Sequence, residues 1–104
     1  MATQQIAIKK VEKLVSDIQA LGIHLQKVIL FGSYAKNKQR RYSDIDVALI
    51  ADEFTGVGFE DIPLFVSALR NNYMIQPKTF STAYFKKGDP FIDEIKKTGI
   101  EITI

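Results

Sequence analysis

Four consecutive apolar residues, Val28-Ile29-Leu30-Phe31, run without a polar break into Gly32-Ser33, and a second stretch, Asp44 to Ile50, turns wholly apolar after its first residues. A run with no polar alternation offers no face to water, so it reads as a strand covered on both sides. Covered strands need packing layers, and the neighbouring segments carry helical periodicity. The expected fold class is therefore α+β (α/β layered), a small mixed sheet with helices packed against it. A chain of 104 residues has room for one such core, so a single domain over residues 1–104 is expected.

The first layer comes from residues 3–21, where Val11, Leu14, Val15, Ile18 and Leu21 follow the helical period and Gly22 stands at the C-cap. Residues 51–60 read as a loop with two glycines. A helix then follows with Pro63 in its first turn, a buried stripe of Ile62, Phe65, Val66, Leu69 and Tyr73, and an end near Asn71 or Asn72. Met74 to Gln76 reads as a short strand that turns or lies at an edge at Pro77. Asp89-Pro90 opens a last helix whose apolar face is Phe91, Ile92 and Ile95, and Gly99 ends it before the β-prone tail IEITI.

Composition excludes several classes. Apolar residues make up 46% and charged residues 25%, which argues against disorder. No cysteine is present, so disulfides and thiolate metal sites are ruled out and any metal takes oxygen or nitrogen ligands. No apolar run approaches the ~20 residues that cross a bilayer, and MATQQIAIKK lacks a signal-peptide core, so a cytoplasmic location is the expectation. The net charge of +2 is uneven: Lys36, Lys38, Arg40 and Arg41 supply four positive charges and the remainder sums to −2. One basic loop is a poor match to the extended cationic face of a duplex-DNA binder. It suits a triphosphate or an acidic partner as well as it suits a solvated loop, and Lys36, nearest the Gly-Ser turn, is its candidate phosphate contact. Tyr34 and Tyr42 flank this loop and have the shape to stack on a base, although packing against the domain is the commoner fate of such rings. His24, alone before a strand, reads as solvated.

Asp44 and Asp46 are the unusual pair. On a strand they share one face with Ile45 on the other, about 6.5–7 Å apart, and two carboxylates so placed repel more strongly as water is excluded. A positive charge between them relieves this, and a pair of magnesium ions is the arrangement that phosphoryl and nucleotidyl transfer use. Gly32 removes a Cβ that would block a phosphate, and Ser33 offers a hydroxyl and a backbone N–H at the start of a short helix. The turn is not a P-loop, since the Gly-Lys-Ser/Thr ending is missing.

Gly32-Ser33, ten intervening residues and Asp44-Ile45-Asp46, between two apolar strands, resemble the signature of DNA polymerase beta-like nucleotidyltransferases, in particular the minimal nucleotidyltransferase (MNT) group. The resemblance extends to length and element order over essentially the whole chain. It implies that Gly32 and Ser33 bind nucleotide phosphates, that Asp44 and Asp46 bind Mg2+ and are catalytic, and that ATP is the substrate. It also implies transfer of AMP to a hydroxyl of a partner, typically a small helical HEPN protein, often a toxic ribonuclease, with the chain as antitoxin in a hetero-oligomer.

Two positions depart from that signature. Asn37 stands where many relatives have glycine, a mild change because asparagine tolerates positive φ. Gln76 stands where members that catalyse transfer carry a third acid, and an amide brings neither charge nor a basic site. Either catalysis is weakened and the chain acts by occluding its partner, or another carboxylate, among Asp52, Glu53, Asp61 and Asp89, takes the place.

Overall fold

A computed structural model of the chain describes residues 3–104, so residues 1 and 2 of the expected domain lie outside the described residues. Helix α1 (Gln4–Ala20) begins where the Thr3 hydroxyl accepts the Ile6 N–H at 3.2 Å, and it buries Ala7, Val11, Leu14, Val15 and Ile18. Leu21 departs from the expected stripe. It is the cap residue, half exposed, and Gly22 turns the chain away at φ +87°.

Four strands form one sheet in the order β3-β2-β1-β4: β1 (Leu25–Phe31), β2 (Ile45–Ala51), β3 (Ile75–Ser81) and β4 (Ile100–Ile102). The two unbroken apolar runs are the two inner strands, antiparallel to each other. β3 is parallel to β2 and β4 antiparallel to β1. Inner strands have packing on both faces, which is why β1 and β2 lack polar alternation. One face carries Val28, Leu30, Val47, Leu49 and Ile75 beneath α1, together with Phe54 and Phe65. The other carries Ile29, Ala48, Ile50 and Phe80 beneath Phe85, Ile92 and Ile95.

The helical stretch before β3 differs from the single helix expected. It is α2 (Gly58–Asp61), a 3-10 turn over Ile62–Phe65 and α3 (Val66–Arg70). Pro63 cannot donate the hydrogen bond that would continue α2, so the chain tightens there. Only Asp61, Phe65 and Ala68 are fully buried in these pieces, and Val66 and Tyr73 face outward. β3 runs on through Pro77 because it is an edge strand, where a missing N–H costs little.

Helix α4 (Thr82–Lys87) was not expected from the sequence. Ser81 caps it, accepting the Tyr84 N–H at 3.1 Å, and Gly88 ends it at φ +83°. Helix α5 (Pro90–Thr98) starts as expected at Asp89, whose carboxylate accepts the Ile92 N–H at 2.7 Å. Gly99 ends α5 through space, not through φ: at φ −79° its backbone is ordinary, but a Cβ there would lie 2.5 Å from Ile29 Cγ2 and from the Ile95 carbonyl.

Candidate functional site

The ends of three strands meet in one row. Phe31, last in β1, pairs with Asp46, and Asp46 pairs with Gln76 across the parallel β2–β3 ladder. Opposed residues share a face, here the one covered by α4 and α5, and neighbouring strands lie about 4.8 Å apart. The row behind is Ile29, Ala48 and Lys78. Phe91 of α5 closes the back of this region, edge-on to Phe31 at 5.7 Å between ring centres, with the Lys78 ammonium 5.7 Å from its own.

Asp44 does not lie in the strand as expected. The ladder stops at Ile45, which donates to the Met74 carbonyl at 3.0 Å, because β1 has already ended opposite Asp46. Asp44 is therefore exposed at the mouth while Asp46 is partly buried. Burial, and then the charge of Asp44, pushes the Asp46 carboxyl above the usual carboxylate range. The repulsion inferred from the sequence is thus present, and among the described residues no ion pair engages either aspartate.

Gly32 lies directly against Asp46. At φ +76° it adopts a left-handed conformation, and a Cβ there would collide with the Asp46 Oδ2 atom. The carboxylate beside it by itself requires a glycine here. After it, residues 33–37 form a hydrogen-bonded turn instead of the expected helix start, with Lys36 N–H on the Gly32 carbonyl and Lys38 N–H on the Ser33 carbonyl. Asn37 reverses the chain at φ +55°, the positive φ that an asparagine at this place was expected to tolerate. Gln4 of α1 pins the turn from below, its amide donating to the Tyr34 and Ala35 carbonyls at 2.9 and 3.2 Å. Tyr34 itself is buried in the core, so it has no ring face for a base. The Lys36 ammonium rests 3.6 Å from Glu94 of α5, with both side chains about half exposed. An exposed pair of this kind contributes about 0–1 kcal/mol, so it holds the ammonium only weakly.

Gly32→Ala is expected to cost about 1–2 kcal/mol from the left-handed backbone alone, before the collision is counted. Chemical denaturation of Gly32→Ala, Asp46→Ala and the double variant separates the two parts. Removing the carboxylate recovers the collision and leaves the backbone cost.

The other acids considered for a third ligand are occupied or distant. Asp61 accepts from Thr55, Gly56 and Thr79, and Thr79 lies opposite Leu49 on the far face of the sheet from Asp46. Glu53 accepts the His24 backbone N–H and pairs with its ring at 3.1 Å, leaving that histidine an exposed surface partner. Asp52 follows the far end of β2, roughly 20 Å along the strand from Asp46. Asp89 caps α5 and accepts the Tyr84 hydroxyl. Among the described residues no three His, Cys, Asp or Glu side chains converge. Asp44 and Asp46 still suit a hard divalent cation: both offer oxygen donors, the pair is uncompensated, and magnesium commonly takes one or two carboxylates and fills its shell from phosphate and water.

Two neighbours escaped the sequence reading. Lys78 alternates with Gln76 on one face, a period-two signal obscured by treating Pro77 as a break. Tyr73, expected in a helical stripe, is 83% exposed and shares a cleft with Asp44.

The profile of the family described as Polymerase beta, Nucleotidyltransferase matches residues 9–104. MJ0141 of Methanocaldococcus jannaschii, a proposed protein adenylyltransferase, is 31% identical over 102 residues, covering 91% of this chain and 94% of that one. A proposed nucleotidyltransferase from Sulfolobus solfataricus superposes with a TM-score of 0.68 at 19% identity, covering 94% of this chain and 80% of its own. A toxin–antitoxin structure solved with AMP-PNP superposes with a TM-score of 0.57 at 25% identity, covering 92% of this chain and 72% of its own.

Proposed function

Since the chain belongs to the polymerase beta nucleotidyltransferase family, we propose that it binds MgATP at the Gly32/Asp44/Asp46 mouth and transfers AMP to a hydroxyl of a protein partner. The observation that carries this reading is the contact of Gly32 with an uncompensated Asp46 carboxylate, next to a second carboxylate. The partner we propose is a small helical HEPN-type toxin, with this chain as its antitoxin. Support comes from the 25%-identical toxin–antitoxin structure with AMP-PNP and from the name of the M. jannaschii relative.

In this reading Asp44 and Asp46 would hold Mg2+, which when bound supplies positive charge to the phosphate oxygens and to the developing charge on the leaving group. The Ser33 hydroxyl and the Lys36 ammonium donate to phosphate oxygens, and Gly32 leaves room for their approach. The acceptor hydroxyl forms a bond to the α-phosphorus, the α–β anhydride bond breaks and pyrophosphate leaves. The acceptor's proton passes to solvent water, since no carboxylate stands at the β3 position to receive it: Gln76 offers only a carbonyl oxygen of negligible basicity.

That last observation favours a second reading, in which the chain keeps nucleotide and partner but neutralises by occlusion, without turnover. Labelled ATP, Mg2+ and the purified pair separate the two. Label transferred to the partner, and lost in Asp46→Asn, supports catalysis, whereas full neutralisation by Asp44→Asn and Asp46→Asn chains supports occlusion. Both readings predict a saturable calorimetric titration with MgATP that weakens at least about tenfold in Asp44→Asn, the loss of one charge-assisted contact. A flat wild-type titration would overturn both.

A further inference from the structure

We propose that the cleft between Tyr42 and Tyr73, beside Asp44, receives the nucleobase of the bound triphosphate, an inference that rests on the nucleotide-binding reading above. The cleft has a volume of about 310 Å3 and is lined by Arg41, Tyr42, Ser43, Asp44, Tyr73 and Met74. That is near the lower end of the ~300–1,000 Å3 usual for small-molecule sites.

Tyr42 and Tyr73 are 86% and 83% exposed, and neither hydroxyl bonds to another side chain among the described residues. Rings so exposed add little to the core. Yet the turn before β2 and the turn before β3, distant in sequence, bring both to one cleft. Tyr42 carries the Arg41 guanidinium 5.5 Å from its ring centre, which places a planar cation next to a planar aromatic. Met74, polarizable and partly buried against the core, adds an adaptable wall. Every base presents a π-face, so aromatic rings with an adjacent arginine hold a base without reading its sequence-specific edge.

Position favours a nucleobase as the occupant. Asp44 lines this cleft and stands two residues from Asp46, against which Gly32 lies, so a nucleotide with phosphates at the carboxylate mouth has its base within reach of the two rings. The larger cleft along β3, about 510 Å3 and lined by Lys78, Phe80, Tyr84, Asp89 and Phe91, suits a base less well. Its tyrosine is tied to Asp89 by a 2.5 Å hydrogen bond, and its Phe91 ring is engaged by Phe31 and Lys78.

The test titrates the chain by calorimetry with MgATP and, in parallel, with inorganic triphosphate and Mg2+. Tyr42→Ala and Tyr73→Ala are each expected to weaken ATP binding about tenfold and to leave inorganic triphosphate binding unchanged. Tyr42→Phe and Tyr73→Phe retain wild-type ATP affinity, because the ring and not the hydroxyl makes the contact. With no tryptophan and four tyrosines in the chain, ATP also quenches tyrosine emission, and the quenching disappears when both rings are removed. ATP affinity unchanged in both alanine variants would overturn the proposal. So would wild-type binding of inorganic triphosphate as tight as that of ATP, an outcome that leaves the phosphate site standing. Binding of neither would overturn this proposal and the reading beneath it together.

Discussion

Gln76→Asp is expected to raise the rate of adenylyl transfer to the partner by about 10²- to 10⁴-fold, the usual contribution of a positioned general base. The register gives the reason. Gln76 stands opposite Asp46 on the neighbouring strand, so an aspartate there adds a third carboxylate to the row on the face that Asp46 occupies. It would accept the proton that the amide cannot, and it would add a third oxygen ligand for Mg2+. Gln76 is exposed on an edge strand and the replacement is shorter, so packing is little disturbed. The cost is electrostatic: three neighbouring carboxylates repel, so the variant should melt below wild type in EDTA and recover in Mg2+. Single-turnover transfer of labelled AMP, with melts in both buffers, checks the two parts. An unchanged rate beside a normal Mg2+ response would show that β3 does not face the acceptor.

That prediction starts from a residue singled out in the sequence, and the reasons it could be singled out are local. The Gly32-Ser33 turn and the Asp44-Ile45-Asp46 spacing are short-range patterns, and a period of two places Asp46 without knowledge of any partner strand. The inner strands were legible for a similar reason, since only a strand covered on both faces lacks polar alternation. Less could be read where a tertiary partner decides the outcome. Asp44 falls outside the strand because β1 ends two residues too early to pair with it, and nothing in residues 44–50 records that. β3 continues through Pro77 because no strand lies beyond it, and edge position is a property of the sheet. α4 is six residues held by a serine cap and a glycine, too short for periodicity to register. The cleft between Tyr42 and Tyr73 is the extreme case, because its two walls come from turns that only the parallel β2–β3 pairing brings together.

Asp61→Ala is expected to destabilise the fold by about 3 kcal/mol, roughly a hundredfold in the folding equilibrium, although Asp61 touches neither the carboxylate mouth nor the aromatic cleft. Its side chain is wholly buried. It accepts the Thr55 N–H at 2.8 Å, the Thr55 hydroxyl at 3.1 Å, the Gly56 N–H at 2.9 Å and the Thr79 hydroxyl at 2.6 Å. Burial alone would raise its pKa, but the donors from Thr55, Thr79 and Gly56 outweigh burial and hold the carboxyl below the usual carboxylate range. A folded-state pKa below the unfolded one stabilises the protein above the unfolded value, and that stabilisation is lost as pH falls through the folded value. The acid limb of the stability curve should therefore be shallower in Asp61→Ala, which has no carboxylate to protonate. Asp61→Asn should have an equally shallow acid limb, since an amide does not titrate there, and a stability between wild type and Asp61→Ala, because one oxygen still accepts while its amide N–H2 opposes a neighbouring donor. Urea denaturation from pH 3 to 7 measures both effects, and equal slopes in all three chains would refute the assignment. The consequence reaches the site through Thr79: Asp61 ties β3 to the 55–56 loop, so losing it should speed amide exchange along β3 and loosen the alignment of Gln76 with Asp46.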